Sequence, residues 1–240
     1  MATASNSVTM WPFRNQRQAA NPMGQKTRHH KSAPTRRHTA AKSPGGELRI
    51  IGGDWRSRKL NFPDAGGVRP TPARTRETLF NWLNYQLAGR RCLDLFAGSG
   101  ALGLEALSRG AGATAFVDHT PTLAQALRSN LRLLKSDKGE VICQSVDAYL
   151  AQPAAEPFDI LFMDPPFRQG WLETLFPLIN TNGWVTPGGW IYVEHESEIA
   201  TPHTPANWSL HRQKSAGQVT YCLFRVEEPE VFSEKITPEA

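Results

Sequence analysis

Leu93-Asp94-Leu95-Phe96-Ala97-Gly98-Ser99-Gly100-Ala101-Leu102-Gly103 reads as a buried strand that runs into glycines and then into a helix. Glycines let a backbone approach a ligand closely, and a helix start presents unpaired N–H groups to a negative group. The same rhythm repeats downstream. Strand-like runs cover Arg91–Phe96, Thr114–Asp118, Glu140–Val146, Asp159–Met163 and Trp190–Glu194. Helix-like runs between them cover Gly100–Arg109, Pro121–Leu134, Asp147–Ala151 and Gly170–Leu178. Such alternation predicts a parallel sheet covered by helices on both faces. Ser209–Lys214 and Val219–Val226, joined through Ser215-Ala216-Gly217, read as a closing antiparallel hairpin. The expectation is an α/β fold, a mostly parallel, doubly wound sheet with that hairpin at one edge.

Upstream, Glu47–Leu60 reads as a β-hairpin with Gly52-Gly53 near its turn. Val68–Leu87 follows, with Thr71 suited to cap a helix and Pro72 to its first position. Leu79, Phe80, Leu83 and Leu87 recur at helical spacing, and Gly89 ends the pattern. Residues 1–46 hold eight Lys and Arg and no Asp or Glu, with Pro12, Pro22, Pro34 and Pro44 spread among them. That composition predicts disorder, as an RNA-seeking arm, an incidental extension or an organellar presequence. Four segments are expected: a basic extension at 1–46, a hairpin and helix at 47–90, a core domain at 91–228 and a tail at 229–240.

Charge follows the same division. Residues 1–91 carry net +13 and residues 92–240 carry net −8, which sums to the chain's +5. One part is thereby suited to meet a polyanion. No apolar run approaches the length needed to cross a bilayer, so a cytoplasmic protein with no membrane partner is expected. Cys92, Cys143 and Cys222 each lie in an apolar run and read as buried free thiols. None of the seven His has a spacing that points to a metal or a nucleophilic dyad, so no metal is expected.

Gly98, Gly100 and Gly103 match the dinucleotide fingerprint, and Asp118 lies 20 residues after Gly98. A nicotinamide enzyme is therefore one reading. Asp94, ahead of the glycines, favours another. It can accept hydrogen bonds from a cationic amino group, which the methionine end of S-adenosylmethionine carries and a nicotinamide cofactor lacks. Asp118 suits two ribose hydroxyls under either reading. Asp147 can serve the adenine amine or simply cap a helix.

Asp164-Pro165-Pro166-Phe167 follows the strand Phe158–Met163 directly. Ligands of open α/β sheets bind outside the carboxyl ends of strands, where this tetrapeptide falls. Two prolines stiffen the loop and remove two N–H donors. An exocyclic base amine can then donate to the Asp164 carboxylate and the Pro165 carbonyl, which orients its lone pair. Phe167 supplies a face on which a base stacks. Arg56, Arg58, Lys59, Arg69, Arg74 and Arg76 cluster within 21 positions, interleaved with Trp55, as candidate RNA contacts.

These motifs, with Arg49-Ile50-Ile51-Gly52-Gly53, Val68-Arg69-Pro70-Thr71 and Arg76 through Leu83, carry a resemblance. From about Leu48 to Val226 the chain resembles the bacterial 16S ribosomal RNA guanine-N2 methyltransferases of the RsmD type. The resemblance implies a Rossmann-like class I methyltransferase fold and a monomer acting on 16S rRNA in the small subunit or an assembly intermediate. It implies S-adenosylmethionine at Asp94, Phe96, Ala97, Gly98, Ser99, Gly100, Asp118 and Asp147. It also implies a catalytic site at Asp164, Pro165, Pro166 and Phe167. Alternatives are an amino-methyltransferase acting on DNA or another RNA base, and a non-catalytic RNA-binding protein, which would have no need of Asp164.

Overall fold

Alternating side chains along five parallel strands send apolar residues to both faces of one sheet. A computed structural model describes residues 45–65, 70–199 and 201–228. The expectations for residues 1–44, Arg69 and the tail from 229 lie outside the described residues. The sheet has the order β5-β4-β3-β6-β7-β9-β8. Its parallel strands are β3 (Arg91–Leu95), β4 (Ala113–Asp118), β5 (Gly139–Cys143), β6 (Phe158–Met163) and β7 (Val185–Glu196). The antiparallel strands β8 (Trp208–Ala216) and β9 (Val219–Val226) close one edge. The doubly wound sheet and its terminal hairpin are as the sequence predicts.

Cys92, Phe116, Ile160, Phe162 and Tyr192 face one way, into a core shared with α1 (Ala73–Trp82), α2 (Ala101–Ser108) and α3 (Pro121–Leu133). Leu95, Val117, Leu161, Met163 and Val193 face the other way, onto α4 (Val146–Leu150) and α5 (Trp171–Thr181). Burial on both faces explains why these strands read as continuous apolar runs.

The N-terminal hairpin is β1 (Gly45–Arg49) and β2 (Lys59–Pro63), with Arg49 opposite Lys59. Leu48, Ile50, Leu60 and Phe62 are buried in the same core as α2 and α3. Its loop lies against α2. Gly53 has φ +71°, and a Cβ there would fall 1.7 Å from the Ser108 carbonyl oxygen. Glycine alone admits that contact. Ser108 Oγ donates to the Gly52 carbonyl at 2.6 Å and accepts from the Trp55 amide at 2.9 Å.

Several boundaries differ from expectation. α1 ends at Trp82 rather than Leu87, and a short 3₁₀ turn at Asn84–Gln86 intervenes. Pro72, not Thr71, is the residue capping α1, because the Thr71 hydroxyl is used elsewhere. β5 stops at Cys143 instead of Val146, and Val146 opens α4. Since β5 is an edge strand, Cys143 is exposed, whereas Cys92 and Cys222 are buried as expected.

Candidate active site

The strand order places β4, β3 and β6 side by side, so their carboxyl ends open onto one shared surface. Leu95 pairs with Met163 at the end of the β3–β6 ladder, so Phe96 and Asp164 leave adjacent strands. This sets the glycine loop beside the Asp-Pro-Pro-Phe loop.

The glycine loop turns back at Phe96 (φ +58°), Gly98 (φ +52°) and Gly100 (φ +77°). The Ala97 amide donates to the Val117 carbonyl at 3.0 Å, and the Gly98 amide to Asp118 Oδ2 at 2.8 Å. Asp118 Oδ1 accepts from the Thr120 amide at 2.8 Å. Asp118 therefore ties the loop to β4, and each oxygen keeps a lone pair for a further donor. Asp94 Oδ2 accepts the Gly103 amide at 2.8 Å in the first turn of α2. A Cβ at Gly103 would lie 2.3 Å from the Phe116 ring and 2.9 Å from that carboxylate, so the third glycine serves helix–sheet packing. Burial pushes the Asp94 carboxyl well above the usual range, and the nearby Asp164 and Asp118 charges push the same way. A cationic ligand group would restore its charge. Ala97 and Ser99 are buried within the loop. Asp147 lies exposed in the first turn of α4, and hydrogen bonds from Ser145 and the Ala148 amide hold its carboxyl low. The N-cap of α4 is Ser145, so Asp147 does not cap the helix and its carboxyl faces the open surface.

Asp164 sits where β6 ends, with Oδ2 accepting from Thr71 Oγ1 at 3.3 Å. Burial raises its carboxyl to about 6, against the lowering effect of Thr71. Pro165 is buried, while Pro166 and Phe167 are exposed, Phe167 by 37%. Beyond them the Arg168 amide donates to Glu196 Oε1 at 3.1 Å, and its guanidinium to Glu198 Oε1 at 2.9 Å. These bonds latch the loop to the end of β7. Trp171 meets Phe96 edge-on, with centroids 5.2 Å apart.

Sequence reading missed three residues here. Glu194, at the carboxyl end of the apolar part of β7, is buried and accepts the Tyr192 hydroxyl at 2.9 Å. The Thr71 hydroxyl donates to Asp164 and also lowers the neighbouring Glu194 carboxyl. Burial and the Asp164 charge raise Glu194 to about 8. An acid ending an apolar strand was the available signal, the same one that marked Asp94 and Asp118.

The basic cluster divides in two. Arg56, Arg58, Lys59 and Arg74 are exposed on the hairpin and the start of α1, Lys59 pairing with Glu47 at 3.0 Å. Arg76, expected beside them as an RNA contact, is buried. Its Nη1 meets Glu105 at 3.1 Å, Nη2 donates to the Arg49 carbonyl at 2.9 Å and Nε to the Thr71 carbonyl at 3.1 Å. With its donors spent inward, Arg76 supports structure rather than facing a polyanion.

Known proteins resemble this chain in sequence and fold. The family model described as "Conserved hypothetical protein 95" matches residues 48–225. Ribosomal RNA small subunit methyltransferase D of Escherichia coli is 50% identical over 185 residues, covering 77% of this chain and 93% of that protein. The protein of the same name from Haemophilus influenzae is 46% identical, covering 75% and 94%. The solved structure of yhhF from Escherichia coli is 49% identical, with a TM-score of 0.72, covering 76% of this chain and 99% of that one. The chain belongs to the RsmD family and is an S-adenosylmethionine-dependent methyltransferase.

Proposed function

We propose that the chain methylates the exocyclic N2 amine of a guanine in 16S rRNA, as a monomer in the cytoplasm, within the small subunit or a particle on the way to it. The observation that carries this reading is Asp164. Its carboxylate ends β6 beside the glycine loop, with Thr71 on one oxygen. The other oxygen is left to accept an N–H, and the Pro165 carbonyl takes the second. Phe167, exposed on the same loop, stacks on the base. The RsmD relatives named above are small-subunit rRNA methyltransferases, which supports an rRNA substrate.

S-adenosylmethionine supplies an electrophilic methyl on sulfonium. The residues present suit it. Asp94, whose burial calls for a cation, takes the ammonium; Asp118 takes the ribose hydroxyls; Asp147 takes the adenine amine. Phe96, Ala97, Gly98, Ser99 and Gly100 form the wall between them. When bound, the cofactor would give its methyl to the lone pair of the amine that Asp164 and the Pro165 carbonyl orient, the sulfur keeping the electron pair of the broken bond. The amine then sheds one proton, for which Asp164 is the acceptor. Orientation and fixed charge do most of this work. Arg56, Arg58, Lys59 and Arg74 bind phosphates, with Arg69 assigned to the same task from sequence alone.

Label transfer from methyl-tritiated S-adenosylmethionine tests the substrate, using undermodified small subunits, free 16S rRNA and duplex DNA. Nucleoside analysis should return N2-methylguanosine from the ribosomal samples. Label in DNA, or on another base, would replace this reading with a different amino-methyltransferase.

A further inference from the structure

Thr71 stands between the buried Glu194 and the half-buried Asp164, and it has one proton to give. It donates to Asp164 Oδ2 at 3.3 Å, and it lies near enough to Glu194 to lower that carboxyl as well. Glu194 is 4% exposed, and its Oε1 already accepts the Tyr192 hydroxyl at 2.9 Å. Counting protons limits the arrangement. With both acids ionised, two charges would share one Thr71 proton in a buried site, an arrangement that like charges at close range resist. With one added proton on Glu194, every hydroxyl points one way: Tyr192 to Glu194, Glu194 to Thr71, Thr71 to Asp164. Each donor then has an acceptor, and one negative charge remains, on Asp164.

We propose that Glu194 is a positioning residue for methyl transfer, which directs the Thr71 hydroxyl onto one oxygen of Asp164 and reserves the other for the target amine. The proposal rests on Asp164 being the amine acceptor. Nothing in this role requires Glu194 to touch the base. Its effect passes through Thr71, which the two acids share.

The groups facing this chain come from several elements. Asp164 ends β6, Tyr192 and Glu194 lie on β7, Tyr221 on β9, Thr71 precedes α1, and the Asp94 carboxyl on β3 feels the charge of Asp164. His195 points to the other face of the sheet, where its Nε2 lies 3.6 Å from Cys222 Sγ. Burial raises Asp164 to about 6 and Glu194 to about 8, so near neutral pH the pair shares one proton, which the more deeply buried Glu194 is placed to hold. Below about 6 Asp164 gains a proton and loses an acceptor site. Above about 8 Glu194 ionises, calls the Thr71 hydroxyl to itself and adds a second charge. Methyl transfer should peak between these limits.

The test uses the full-length enzyme with undermodified small subunits and compares parent, Glu194→Gln, Thr71→Val and Thr71→Ser. The amide of Gln donates to Thr71 at every pH, so in Glu194→Gln the fall in kcat above about pH 8 should disappear. Thr71→Val should lose on the order of tenfold in kcat, the scale of one hydrogen bond, with little change in KM for the cofactor, and Thr71→Ser should restore it. Infrared difference spectra of the substrate-free protein give an independent readout. The parent at pH 7 should show a buried protonated carboxyl that Glu194→Gln lacks. An alkaline fall unchanged in a folded Glu194→Gln, or a carboxyl band indifferent to that change, overturns the proposal. If instead Asp164→Ala transfers methyl at the parental rate, the amine reading fails, while the band still reports where the proton sits.

Discussion

A carboxylate at the end of a buried strand is costly unless donors surround it, so each such acid must be explained by what it accepts. Asp118 accepts two backbone amides, Asp94 accepts one, and Asp164 accepts only the Thr71 hydroxyl among the bonds described for it. That ordering fits the roles proposed for them: Asp118 fixes the loop, and Asp164 keeps capacity for a ligand. Asp94, Asp118 and Asp164 were legible because each lies next to a local signal, a glycine run or a proline pair. Glu194 and Thr71 were not, since they lie 123 positions apart and meet only through the sheet. Phe167 offers a test at this scale. Phe167→Ala should raise KM for the RNA by the equivalent of about 1–3 kcal/mol of stacking. Affinity for S-adenosylhomocysteine, measured by titration calorimetry, should hold.

Between residue and fold stands Glu105 on α2, which is fully buried. Its Oε2 accepts the Ile51 amide at 2.9 Å and Arg76 Nη1 at 3.1 Å. Its Oε1 accepts the Gly52 amide at 2.8 Å and Arg109 Nε at 2.8 Å. One side chain thus fastens the hairpin loop, α1 and α2, and holds the exposed cations Arg56 and Arg58 against the helix that follows the glycine loop. Charge alone carries no direction and the partner of Arg76 lies 29 positions away, so the sequence does not separate Arg76 from its exposed neighbours. Removing one member of a buried pair leaves the other charge stranded. Glu105→Ala or Arg76→Ala should each cost about 3–5 kcal/mol in chemical denaturation. Arg58→Ala, exposed, should leave stability within about 0.5 kcal/mol. Element order was readable from alternating β and α patterns, but ends were not. The α1 pattern ran on to Leu87 because Leu83 and Leu87 are buried on either side of a turn, where periodicity cannot distinguish the two.

For the whole molecule, the active site is a source of instability that depends on pH. Asp164 and Glu194 have folded-state values above those of free carboxyls, so the folded protein binds their protons more tightly than the unfolded chain does. Their contribution to stability is therefore full below about pH 4 and is lost as pH rises through about 6 and then about 8. Glu194→Gln removes the upper part of that loss. Its melting temperature should exceed the parent's at pH 8.5 by more than at pH 5.5, as scanning calorimetry can show. A gap that does not widen with pH would mean that the Glu194 carboxyl is not held protonated. In the proposed reaction the same burial that sets this cost readies Asp164 for the amine, so stability and activity draw on one arrangement.

Asp164 is proposed to orient an amine rather than to build the cofactor pocket, and one paired measurement addresses that directly. S-adenosylhomocysteine affinity and the single-turnover rate of label transfer to undermodified small subunits are measured on the parent and on Asp164→Ala. The affinity should change little while the rate falls by about 10²–10³, the loss typical of one preorganised electrostatic partner. Transfer to the same guanine at the parental rate would contradict the account, and so would a variant whose rate falls only because it no longer binds the cofactor.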